Sequence, residues 1–108
     1  MFTVTDPRGY SVTLTDPCWN GHIIVHHPIM VGREGEVRQT IETPDYIYES
    51  KIKHTSHLYF RESAATPTGM LYLMVVVDMR ARTKRGFVET AFLVEGLAKG
   101  GTLLWQRT

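Results

Sequence analysis

The chain has 108 residues, 43% apolar and 21% charged, and a formal net charge of +1. That length holds one domain, 1–108, with a real core, and the composition excludes a disordered protein. The near-neutral charge excludes a globally basic nucleic-acid binder, so any such function must rest on a local patch.

"FTVTDPRGYSVTLT" (2–15) alternates around a turn: Asp6-Pro7 opens it and Gly9 closes it, which predicts a small hairpin. "TDPCWNGHIIVHHP" then starts a helix, with Asp16 placed to accept from free amides and Pro17 suited to the first helical position. Trp19, Ile23 and His27 are four apart and share one face, while His22 and His26 form a neighbouring row. Pro28 drives His27 out of the helical region and ends the helix there. A second helix is predicted over Glu34–Glu42, with Val37 and Ile41 on its apolar side and Pro44 after its end.

From residue 46 the period becomes two. "YIYES" (46–50), "HLYFRE" (57–62), "MLYLMVVVDMR" (70–80) and "GFVETAFLVE" (86–95) read as strands, with "TLLWQR" (102–107) as a short edge strand. The loops 62–69 and 81–86 join neighbours, which favours antiparallel pairing. The predicted fold class is α+β: an N-terminal hairpin and two helices packed on one face of a four- to five-stranded antiparallel sheet.

The longest apolar run, "MLYLMVVV" (70–77), is too short to span a bilayer. The first ten residues lack a basic segment before an apolar core, and the lone Cys18 cannot form an internal disulfide. The expected setting is cytoplasmic, with no membrane association.

Four constellations carry chemistry. His22, His26 and His27 hold three of the five histidines. They suit acid–base work near neutrality or a helix end whose imidazoles bond free carbonyls. Metal ligation is the weakest reading, because no H-E-x-x-H is present and the only cysteine is Cys18. "RARTKR" (80–85) puts Arg80, Arg82, Lys84 and Arg85 on a loop without an acid, and "SKIKH" adds Lys51 and Lys53. These are either a solvated hairpin tip or phosphate contacts. In "HLYFRE", alternation sets His57, Tyr59 and Arg61 on one face: the solvent side of a half-buried strand, or the face of a phosphodiester site. In "GFVETAFLVE", Val88, Thr90, Phe92 and Val94 are expected to share a face, where the Thr90 hydroxyl either lines a site or fills a strand position.

The order of the segments His22-Ile23, His27-Pro28, Pro44-Asp45, Tyr59-Phe60-Arg61, Thr90-Ala91, Gly100 and Leu104-Trp105 resembles the small phage-associated domains of the barnase, EndoU, colicin-type and RelE nuclease superfamily. The resemblance covers roughly residues 14–106; Trp19 lies one residue further from His22 than that pattern has. It implies a metal-independent, toxin-like ribonuclease without a cofactor, acting on RNA and paired with a cognate inhibitor protein. On this reading the 2′-OH attacks the adjacent phosphate. His27 and Tyr59 would carry protons, Arg61 would stabilise charge and Thr90 would position the substrate. His22, His26 and His57 stand in reserve. Arg80, Arg82, Lys84, Arg85, Lys51, Lys53 and Trp105 would contact nucleic acid. The rival reading is a non-catalytic module on the same fold that binds nucleic acid or protein.

Overall fold

The computed structural model describes all 108 residues. Its strands are β1 (Phe2–Thr5), β2 (Ser11–Leu14), β3 (Tyr46–Ser50), β4 (Ser56–Thr66), β5 (Gly69–Arg80), β6 (Arg85–Glu95) and β7 (Gly100–Gln106). They form one seven-stranded mixed sheet in the order β1-β2-β6-β5-β4-β3-β7. This corrects the expected four- to five-stranded antiparallel sheet. The hairpin does not lie on the face of the sheet; it extends it, through a parallel pairing of Ser11–Thr13 with Arg85–Phe87. Two strands alone are marginal in water, and β6 would otherwise leave an open edge. Joining the two satisfies both and buries Val12 and Leu14 completely.

The first helix begins at Thr15, whose hydroxyl caps the Cys18 amide, and not at Asp16, whose carboxylate instead meets the N-terminal ammonium at 2.9 Å. It runs Asp16–Cys18, widens into a π-helical Trp19–Ile23 around Gly21, and closes on Ile24–His26. His27 leaves the helical region (φ −132°, ψ 75°) before Pro28. The second helix spans Glu34–Glu42 and buries Val37, Thr40 and Ile41. No helix is long and apolar enough to cross a membrane.

The sheet has two differently covered faces. Trp19, Ile23, Met30, Val37 and Ile41 from the helical segments share one core with Tyr59, Leu73, Val75 and Val77. A smaller cluster of Leu58, Phe60, Tyr72 and Met74, with Tyr46, Tyr48 and Phe92 around it, occupies the opposite face. No helix covers that side.

The chain also shows that this open face is concave. β6 is third and β7 seventh in the sheet, four strand spacings apart, which on a flat sheet is about 19 Å. Glu95 pairs with Leu71 near the start of β5, whereas Gly100 pairs with Ser50 at the other end of the sheet. Five Cα steps reach at most about 19 Å, too short for the diagonal. The sheet therefore curls, helped by register shifts between Glu62 and Ala64 and between Val76 and Val77. The link Gly96–Lys99 closes across the hollow, with Leu97 packed on the second cluster.

Candidate functional site

Beneath this link lies a groove of about 570 Å³, within the size range of small-ligand sites. Its floor is Leu58, Met74, Val76 and Phe92, and its rim carries Lys51, Lys53 and Lys99. Lys53 bonds Glu89 at 3.1 Å and approaches Asp78 at 3.8 Å; the hydrogen bond to Glu89 and its charge raise the Lys53 pKa. Lys51 and Lys99 have no carboxylate partner and offer their charges to a ligand. An apolar floor under free ammonium groups suits a molecule with a flat aromatic part and a phosphate.

His27 stands against the same surface. Its ring stacks on Phe92 with centroids 4.6 Å apart and planes 21° apart, and the Lys99 ammonium lies 5.1 Å from the Phe92 centroid. The proline stop produces this placement: by ending the helix it turns His27 toward the stretch of β6 beyond Phe87 that β2 does not pair. Burial, then the neighbouring His26 and His22, lower the His27 pKa, which favours the free base. His22 and His26 themselves are exposed, with ring centroids 4.7 Å apart.

Tyr59 and Arg61 are elsewhere. Alternation does set His57, Tyr59 and Arg61 on one face of β4, but it is the face the helices cover. Tyr59 is fully buried, and its hydroxyl donates to Asp6 Oδ2 at 2.6 Å. Burial and the adjacent Asp6 carboxylate raise its pKa far from neutrality, which removes it as a proton carrier. Arg61 donates to the Thr43 carbonyl and hydroxyl and lines a separate polar cavity of about 280 Å³ with Glu36 and Glu62, whose carboxylates would repel a phosphate. The expected quartet is thus divided: Thr90 lines the groove, His27 flanks it, and Tyr59 and Arg61 belong to the other face.

His57 is buried as well and cannot serve as a reserve catalyst. Arg8 Nη2 lies 3.0 Å from its Nδ1; a guanidinium only donates, so the ring accepts and stays neutral. Burial, then the Arg8 charge, lower its pKa to about 4 against the pull of Asp6. Between pH 6.5 and 4 the unfolded chain therefore binds the proton that the folded chain refuses, and stability falls as pH falls. The expected loss across that window is roughly 3 kcal/mol. Urea unfolding at pH 7 and pH 4 measures it, and His57→Gln should remove most of the difference.

Trp105 pairs with Ile47 and packs against the helix-side core, so it does not reach the groove. The basic tip stands closer. Arg80 pairs with Arg85 at the end of the sheet where Ser56 pairs with Asp78, beside Lys53. Arg80, Arg82, Lys84 and Arg85 are all exposed, and only Arg80 is held, by Asp78 at 3.3 Å.

Comparison with protein-family models, with curated proteins and with solved structures returns no match.

Some residues of the site escaped the sequence reading. Val88 does not share a face with Thr90, Phe92 and Val94: a register shift pairs Val76 with Thr90 but Val77 with Val88, so Val88 turns into the helix-side core. Phe92 was legible as a neighbour of Thr90 but not as the platform for His27. Lys99 and Glu89 carried no pattern. Arg8 was visible only as part of a turn.

Proposed function

We propose that this chain is a metal-independent RNA endonuclease that works on the open, concave face of its sheet. One observation carries the proposal: His27 is held on Phe92 beside a groove rimmed by Lys51, Lys53 and Lys99, where burial favours its uncharged form. The resemblance of its segment order to the phage-associated nuclease domains also motivates it. His27 accepts the 2′-OH proton, the oxygen attacks the adjacent phosphorus, and the 5′ oxygen leaves. The reaction forms a 2′,3′-cyclic phosphate, and the free ammonium groups of Lys51 and Lys99 offset the charge on the phosphoryl oxygens. No histidine lines the groove itself, and the leaving oxygen takes its proton from water.

A second reading has its own observation. Tyr59 and Arg61 are withdrawn into structural contacts, which leaves the groove with fewer catalytic groups than expected and suits a module that binds RNA without cutting it. Incubation of the purified chain with single-stranded RNA in EDTA separates the two. Fragments ending in cyclic phosphate establish the nuclease; a stable complex with intact RNA establishes the binding module; neither cleavage nor binding overturns both.

A further inference from the structure

Thr90 is a polar residue among the apolar side chains of the groove floor, and Ser50, Ser56 and Glu89 line the groove around it. Thr90 stands opposite Val76 on β6, among Leu58, Met74 and Phe92. Its Oγ1 is buried and has no hydrogen-bond partner in the protein. Valine has the same shape, and Val75, Val76 and Val77 fill the adjacent strand. An unsatisfied buried hydroxyl is a standing cost that an isosteric valine would avoid. Thr90 lines the groove, so a turn of its side chain about χ1 presents this hydroxyl to a partner from outside the chain.

We infer that the Thr90 hydroxyl reads the edge of one unpaired nucleobase inserted into the groove, so that the substrate is single-stranded RNA with a preferred base at that position. This deepens the RNA reading and rests on it. A nucleobase is flat and apolar on its faces but carries donors and acceptors along its edge. Leu58, Met74 and Val76 take the face, and the Thr90 side chain turns so that its hydroxyl, both donor and acceptor, meets the edge. A paired base hides its edge in the duplex, so the base enters the groove splayed from its strand. Lys51 and Lys99 hold the flanking phosphates, which are the same for every base.

The test uses 2′-fluoro octanucleotides, which lack the attacking hydroxyl, each carrying a single U, C, A or G among abasic sugars. Binding is measured by fluorescence anisotropy over a range of salt, for the native chain, Thr90→Val and Thr90→Ser. The expected result is a preference of about tenfold for one base, one good hydrogen bond's worth. Thr90→Val levels that preference, Thr90→Ser keeps it, and the salt dependence is unchanged because the phosphate contacts remain. Equal binding of the four bases, or a preference that survives Thr90→Val, overturns the inference and leaves the RNA reading standing. Failure of all four to bind overturns both. Thr90→Val preserves side-chain shape, so its fold serves as the control, checked by its melting temperature.

Discussion

Asp6→Ala is expected to lower the stability of the fold by about 3–5 kcal/mol, the cost of removing one partner from a buried ion pair. The Asp6 side chain is fully buried, and Arg8 Nη2 reaches its Oδ2 at 2.9 Å with a side chain only 15% exposed. Asp6 also accepts from the Arg8 and Tyr10 amides, which fixes the hairpin turn, and from the Tyr59 hydroxyl. Its loss leaves the Arg8 guanidinium beside His57 and Tyr59 with no counter-charge. Tyr59→Phe is the milder change, because Arg8 and the two amides still satisfy the carboxylate; the expected cost is about 1–2 kcal/mol. Urea titration of both variants checks the order. Equal and small losses would show that the network contributes little. The network ties the turn after β1 to β4 across the core, so its stabilisation acts on the pairing of the hairpin with the rest of the sheet.

His27→Ala is expected to reduce RNA cleavage by about 10²–10⁴-fold, the usual contribution of a positioned general base. Stability should change little. The imidazole makes no hydrogen bond within the chain, and the lost stacking on Phe92 is worth only about 0.5–1.5 kcal/mol. RNA binding should persist, because the lysines and the floor are untouched. The pH profile gives a second readout. The base form is the active one, so cleavage is at full rate near neutrality and declines as pH falls through the His27 pKa, which burial and the two neighbouring histidines hold below the ordinary imidazole value. The variant should lose this acid limb. An acid limb that remains in His27→Ala would assign the base to another group.

Local physics was legible residue by residue. The second helix follows from the four-spaced Val37 and Ile41 and the stop before Pro44, and its observed span is Glu34–Glu42. The proline after His27 ends the first helix at that residue for the steric reason expected. Alternation in β4 set His57, Tyr59 and Arg61 on one side. Long-range choices were not legible. A strand of period two states which residues go together but not which face meets the helices, and that choice moved Tyr59 and His57 from a supposed site into the core. The register shift after Val76 is one extra residue without a sequence marker, and it moved Val88 to the other face.

Period and proline stops, which act over a few residues, determined a hairpin, two short helices and a set of β-rich segments from Tyr46 onward. The tertiary structure decided that the hairpin joins the sheet in parallel with β6, that a five-step link forces the sheet to curl, and that His27, Thr90 and the lysines meet at its open face. Those outcomes depend on edges seeking partners and on the reach of the chain between distant strands. "HHP" specifies where a helix stops; only the packed sheet determines that the histidine at that stop rests on Phe92.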